Sequence, residues 1–312
     1  MQPKVERRDL ISVQDFCLRG RKFLDGALRE PTWGRPLADY KVLGLFLEPS
    51  TRTRLSFEVA VRSLGGEFFL LDAESSSLVK GETMEDTLAV VKDLGFDCVI
   101  VRTKESGLLL RFPEWTDMAV VNAGDGAREH PSQAIGDAVT ACRHWEVSLG
   151  EPTPFEGKRI ALVGDIVHSR VARSVGRLFV QLGAHVNLVS PPEFALDPRA
   201  VGAKNVESSD SLDDVIGEVD LLYMLRVQRE RFTNNEGLDE SRYTTRYSLT
   251  KERLARVGPD ALIMHPGPFN RNVEITDEVI VSPRFLFNEQ IQVGASVRKG
   301  LLCWVAGKGV GE

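Results

Sequence analysis

Short runs of apolar and β-branched residues alternate along this chain with longer stretches of helical period. That alternation constrains the fold more than any other feature. The runs at 41–47 (KVLGLFL), 67–71 (EFFLL), 98–102 (CVIVR) and 118–123 (MAVVNA) read as strands, and a second series follows at 159–164, 185–190, 220–225 and 261–265. Helices are predicted over 8–28, 52–64, 83–94, 131–145, 169–182, 211–217 and 250–256, with a closing helix over 289–306. Apolar strands separated by enough chain to cross back over a sheet imply parallel pairing with helices on both faces. A chain of 312 residues is more than one ordinary core absorbs. The expected fold is α/β with two domains, each a mostly parallel sheet flanked by helices. Between the two strand series lies the Pro- and Gly-rich stretch SLGEPTPFEGK, residues 148–158, which reads as the boundary.

Two helix starts have a local mechanism. Thr83-Met84-Glu85-Asp86 fits a capping box, with Asp in place of the usual Glu or Gln. Pro131 suits a first helical position after His130. Residues 226–249 are charged and polar with no clear period and read as a long irregular segment.

Composition narrows the function. Hydrophobic residues at 42% and charged residues at 27% are the balance of a soluble globular protein. No apolar run reaches the roughly 18 residues of a membrane span. The opening residues, MQPKVERRDL, lack an apolar signal core. Cys17, Cys98, Cys142 and Cys303 are widely spaced without a Cys-x-x-Cys, so a reduced cytoplasmic protein without a thiolate metal site is expected. A net charge of −6 argues against a general nucleic-acid binder. If such a protein binds an anion, its positive charge must be gathered locally.

Several segments gather it, each at or just past the C-terminal end of a predicted strand. Ser50-Thr51-Arg52-Thr53-Arg54 follows 41–47 and opens a helix. The first-turn N–H groups and the helix dipole favour an anion there, the hydroxyls add donors, and the arginine forks suit phosphate oxygens. A helix capped by Ser50 with solvated arginines is the plainer alternative. AGDGAREHPSQ, residues 123–133, places His130 at a strand-to-helix junction and Gln133 one turn in; His130 there is either a donor to a carbonyl or phosphoryl oxygen or a helix cap. SSSLVKGET, residues 75–83, is a polar loop with one cation. In the second half VGDIVHSRVARS places Arg170 near a helix start, where a carboxylate is favoured, and LRVQRER places Arg226 and Gln228 just past a strand. MHPGPFNRNVEI, residues 264–275, is a stiff turn whose backbone carbonyls are fixed acceptors for an amine. No Gly-x-x-x-x-Gly-Lys-[Ser/Thr] loop occurs, and the second half lacks the Gly-x-Gly-x-x-Gly of a dinucleotide site. The residues alone point to a two-substrate transferase acting on anions.

Together these motifs resemble the carbamoyltransferase family over essentially the whole chain. S-T-R-T-R and H-P-x-Q in this order carry the resemblance, and LRVQRER with HPGPFNR is similar to the aspartate branch; the His-Cys-Leu-Pro of the ornithine branch is absent. The resemblance implies transfer of the carbamoyl group of carbamoyl phosphate to L-aspartate in pyrimidine synthesis, with no cofactor and no metal. It implies a carbamoyl phosphate domain over 1–147, with the closing helix 289–312 returning to it, and an aspartate domain over 148–288. Ser50, Thr51, Arg52, Thr53 and Arg54 would cradle phosphate. Thr53, Arg102 and His130 would face the carbonyl oxygen, and Gln133 the amide. Arg170, Arg226 and Gln228 would clamp the aspartate carboxylates, and backbone oxygens near Gly267 and Pro268 would position the nitrogens. Ser76 and Lys80 would enter a neighbour's site in a homotrimer, and family members also assemble with regulatory chains or dihydroorotase. Val79, Val171 and Gly267 depart from the enteric pattern, which has lysine, threonine and leucine there.

Overall fold

The computed structural model describes residues 8–29, 32–72, 77–231 and 239–309. The chain forms two compact units. One comprises the described residues of Met1–Val139, Ser148–Gly150 and Gln292–Glu312; the other comprises those of Thr140–Val147 and Glu151–Ile291.

The first unit holds a parallel sheet of β1 (Lys41–Phe46), β2 (Glu67–Asp72), β3 (Cys98–Thr103) and β4 (Ala119–Asp125) in the order β2-β1-β3-β4. Every residue of β4 is buried, as befits a strand covered on both faces. Leu43, Leu45, Val99, Val101 and Val120 pack with Leu88 and Val91 of the helix Met84–Asp93. That helix starts at Thr83, whose hydroxyl accepts the Asp86 N–H at 3.1 Å and donates to the Asp86 carboxylate at 2.6 Å. The closing helix, Phe287–Val305, comes close enough to Leu24 that a Cβ on Gly300 would lie 2.4 Å from the leucine Cδ1.

The second unit holds β5 (Arg159–Val163), β6 (His185–Val189), β7 (Val206–Ser209), β8 (Leu221–Met224) and β9 (Leu262–Met264), all parallel, in the order β7-β6-β5-β8-β9. Its core joins Ala161, Val163, Leu222, Met224 and Ile263 to Tyr243 and Tyr247.

Three expectations need correction. The first helix does not begin at residue 8: Leu10 pairs with Val121 beside β4, and helix starts only at Val13, where Ser12 and Asp15 form a capping box. β7 was not expected, because VESS is polar and half exposed at the sheet edge. Residues 226–249 are not irregular throughout. They contain the helix Glu240–Tyr247, capped by Asp239 and anchored by the buried Tyr243 and Tyr247. Two apolar anchors in eight residues give too weak a period to read.

Candidate active site

In the first unit, adjacent strands bring their C-terminal ends to one edge. Phe46 of β1 pairs with Arg102 of β3, and Thr103 pairs with Asp125 of β4. The order β2-β1-β3-β4 reverses direction between β1 and β3, the switch point where open α/β sheets bind ligands. From β1 the chain passes through Ser50 into the helix Thr51–Ser63. Ser50 has the extended backbone of an N-cap, but its hydroxyl makes no capping bond, so a cap by the Ser50 side chain is corrected. A capping hydroxyl would satisfy one first-turn N–H; here that turn also contains no acidic residue. Thr53 is buried, Ser50 and Arg54 are half-buried, and Thr51 and Arg52 are exposed. The Nε of Arg54 is buried without a hydrogen-bond partner. Such a donor costs about 1–3 kcal/mol unless something accepts from it. A dipole's positive end, a buried hydroxyl and a guanidinium N–H thus meet in one loop.

Arg102 sits where the β3–β4 register shifts, between Val101 and Thr103. Irregularities of this kind re-aim a side chain. Its Nη1 donates to the Ala123 carbonyl at 3.4 Å, and its Nε lies 3.4 Å from a Glu48 carboxylate oxygen. Glu48 escaped notice in the sequence, although it stands two residues before Ser50. His130 is buried just ahead of the helix Pro131–Trp145, with Nδ1 3.5 Å from the Ser132 hydroxyl. The Gln133 Nε2 donates to Asp137 at 3.0 Å. A carboxylate only accepts, so the Gln133 amide is oriented, with Oε1 as its accepting end. Asp137, fully buried, was also missed; the (i, i+4) spacing to Gln133 was its signal. Lys80 ends the turn Ser77–Lys80 after the edge strand β2 and is exposed, away in sequence from the ends of β1, β3 and β4. Ser76 lies outside the described residues.

The second unit repeats the plan. Val163 of β5 pairs with Met224 of β8, Tyr223 pairs with Met264 of β9, and the order reverses between β5 and β8. Arg170 opens the helix Arg170–Gln181 behind a Ser169 cap and is 5% exposed. Beside it, the fully buried Asp165 accepts from the Gln228 backbone N–H at 3.0 Å and from His168 Nδ1 at 2.8 Å. Arg226 is held as a fork by both oxygens of Glu230. Gly164, at φ +128°, admits no side chain: a Cβ would lie 2.7 Å from the Leu225 carbonyl and 2.9 Å from the Tyr243 hydroxyl. Burial pushes the Tyr243 hydroxyl well above its ordinary value, and the Glu274 and Asp165 carboxylates add to this, so the unexpected helix backs this cluster.

The MHPGPF turn is fixed from within. The Gly267 N–H donates to His265 Nδ1 at 2.8 Å, which puts the neutral ring's proton on Nε2, 3.7 Å from Glu274. The Gly267–Pro268 peptide is cis, and Gly267 has φ +59°, a conformation that favours glycine at this position. Asn270 Nδ2 ties the turn to the Val227 carbonyl at 3.3 Å. Gly267 and Pro268 are thereby joined to the segment carrying Arg226 and Gln228. Asp165, Glu230, His265 and Glu274 were not among the residues singled out in the sequence. Among the described residues, no group of three or more His, Cys, Asp or Glu side chains is placed to hold a metal ion.

Residues 13–143 match the family description "Aspartate/ornithine carbamoyltransferase, carbamoyl-P binding domain", and residues 156–305 match "Aspartate/ornithine carbamoyltransferase, Asp/Orn binding domain". The chain belongs to the aspartate/ornithine carbamoyltransferase family. The aspartate carbamoyltransferase catalytic subunit of Streptomyces griseus is 45% identical over 307 residues, covering 96% of this chain and 91% of that protein. The catalytic subunit of Acidothermus cellulolyticus is 43% identical over 304 residues, covering 97% and 90%. Among solved structures, the catalytic subunit of M. jannaschii aspartate transcarbamoylase superposes with a TM-score of 0.77 at 30% identity, covering 95% of this chain and 96% of that one. Aspartate transcarbamoylase from Trypanosoma cruzi, in complex with carbamoyl aspartate and phosphate, gives a TM-score of 0.82 at 25% identity, covering 96% and 95%. In this carbamoyltransferase the first matched span contains the loop 50–54, Arg102, His130 and Gln133, and the second contains Arg170 through Pro268.

Proposed function

We propose that this chain transfers the carbamoyl group of carbamoyl phosphate to the amine of L-aspartate, giving N-carbamoyl-L-aspartate and phosphate in pyrimidine synthesis. The observation that carries the reading is the loop 50–54: a helix start without a side-chain cap, next to a buried Arg54 Nε with no acceptor. It is suited to a phosphate, which brings several acceptor oxygens and a full charge.

The residues then divide the work. Ser50, Thr51, Arg52, Thr53 and Arg54 bind the phosphoryl oxygens. Gln133, with Nε2 committed to Asp137, presents Oε1 to the carbamoyl N–H. Arg170, Arg226 and Gln228 take the two carboxylates, and the backbone oxygens near Gly267 and Pro268 accept from the amine. The neutral amine attacks the carbamoyl carbon, the C–N bond forms, and the C–O bond to phosphate breaks. The leaving phosphate keeps that electron pair and accepts the amine proton. Negative charge grows on the carbonyl oxygen, where Thr53, Arg102 and His130 donate; one such donor is worth about 10²–10³ in rate. Aspartate is favoured over ornithine because residues 226–231 read Arg-Val-Gln-Arg-Glu-Arg, a poor place for a second cation. With purified protein, carbamoyl phosphate and either amine, mass spectrometry should detect carbamoyl aspartate. Carbamoyl ornithine instead, or no product, would overturn the reading.

The same reading extends to assembly. A cytoplasmic homotrimer with shared sites is proposed, in which Ser76 and Lys80 serve a neighbour's phosphate, with further association with dihydroorotase or a regulatory chain open to it. The exposure of Lys80 supports this. Mixing Lys80→Ala with Arg54→Ala chains should recover about a quarter of the sites in a cyclic trimer. No recovery in trimers that mass measurement finds mixed would exclude sharing.

A further inference from the structure

Arg298 is a guanidinium in an unusual place. It lies on the closing helix, is 6% exposed, and its Nη1 donates to the Ser56 hydroxyl at 3.1 Å. Its carbon stands 5.3 Å from the centre of the Phe57 ring. Both partners belong to the helix that begins at the loop 50–54.

Gly294 makes room for it. A Cβ on Gly294 would lie 2.9 Å from the Arg298 Nη1, so any side chain there would displace the guanidinium. A Cβ on Gly136 would lie 3.4 Å from the Gly294 Cα, so these two segments meet backbone to backbone. The residue after Gly136 is Asp137, fully buried, whose Oδ1 accepts from Gln133 Nε2. Burial lowers the Arg298 guanidinium to about 10, and the opposing influence is the Asp137 charge. A fully buried carboxylate needs such a countercharge to stay ionised. As the acceptor of the Gln133 Nε2, the Asp137 carboxyl fixes the Gln133 amide in one orientation.

We propose that Arg298 is a positioning residue for carbamoyl recognition: it balances Asp137, and through Asp137 it fixes the amide of Gln133 with Oε1 toward the substrate. The inference rests on the reading that Gln133 receives the carbamoyl amide. Arg298 touches no substrate. It ties the helix behind the phosphate loop to the helix that carries Gln133, so that the two ends of carbamoyl phosphate are read at a fixed separation.

The test compares two probes by calorimetry on the full chain: inorganic phosphate, and phosphonoacetamide, which adds a primary amide. In Arg298→Met, phosphonoacetamide should bind about tenfold more weakly, the loss expected from roughly one hydrogen bond, while phosphate affinity stays within about twofold. Arg298→Lys keeps the charge and should retain most of the difference between the probes. In an Asp137→Asn background no buried carboxylate remains for Arg298 to balance. There, Arg298→Met should change phosphonoacetamide affinity by less than about twofold relative to Asp137→Asn alone. A folded Arg298→Met protein that binds both probes as before, or loses both equally, overturns the proposal. Should Arg298→Met fail to fold, the Asp137→Asn pair decides, and a further tenfold loss there overturns it. A parent protein that binds phosphate but gains nothing from the amide would instead contradict the role of Gln133 itself.

Discussion

The two switch points are built on one plan and finished differently. At the β1/β3 edge the donors come from a contiguous loop, from the start of a helix and from Arg54, whose buried Nε has no acceptor. At the β5/β8 edge the cationic and polar groups come from three separated loops, and carboxylates already engage them. Glu230 grips Arg226, and Asp165 takes the Gln228 N–H and His168. A compact, highly charged phosphate suits the first arrangement, because backbone donors need little rearrangement to receive it. A flexible dicarboxylate suits the second, where long side chains must be held in place and Glu230 occupies the Arg226 fork that a ligand carboxylate would take in the proposed reaction. Preorganisation of the loop 50–54 thus lies in the backbone, whereas the second cluster relies on supporting carboxylates, as Arg102 and Gln133 of the first unit do on Glu48 and Asp137.

That contrast breaks most visibly at Arg54. Arg54→Ala should lower turnover by about 10²–10³, with weakened phosphate binding and the fold intact. Asp165→Ala attacks the supporting shell of the other cluster. It should reduce aspartate kcat/KM by roughly 30–100-fold and lower the melting temperature, since the Gln228 N–H and His168 lose their acceptor at a cost of about 1–3 kcal/mol. Gln228→Ala should raise the aspartate KM about tenfold and relax discrimination against asparagine, with carbamoyl phosphate affinity nearly unchanged. Steady-state kinetics with each substrate varied in turn checks all three.

The smallest effect concerns stability alone. Arg253 and then Arg256 hold the Asp213 carboxyl below the usual carboxylate range. A depressed folded value means that the stabilisation is present above the unfolded value of about 3.9 and is lost as pH falls through the folded one. Asp213 is 42% exposed, so solvent screening leaves only a few tenths of a kcal/mol. Arg253→Ala should therefore flatten the acid limb of the stability curve slightly and shift neither substrate's affinity.

How legible each cluster was in the sequence follows the same contrast. The loop 50–54 could be read because its groups are consecutive and flank an obvious strand-to-helix junction. The eight apolar runs found as strands were apolar enough to stand out, whereas β7 was too polar and Glu240–Tyr247 too short in apolar period. Arg102 was visible as a residue, but its aim depends on a register shift that no local pattern encodes. Asp137, Asp165, Glu230 and Glu274 look like ordinary acids in one dimension. Asp165 takes its role from burial and from a partner 63 positions away, Gln228, whereas Asp137, Glu230 and Glu274 have partners four positions away, Gln133, Arg226 and the Asn270 N–H, whose pairing only the folded backbone shows. The family resemblance supplied Gly267 and Pro268; the structure adds His265 as the acceptor that fixes the Gly267 N–H.

The division of labour between the clusters is tested most directly by crossing two variants with two unreactive ligands. Inorganic phosphate binding is measured by calorimetry, and succinate, a dicarboxylate without an amine, by its inhibition against aspartate. Arg54→Ala should weaken phosphate at least about tenfold and leave succinate within about twofold, and Gln228→Ala should do the reverse. If each variant weakens both ligands alike while remaining folded, the phosphate and the carboxylates are not read by separate clusters, and the account is wrong.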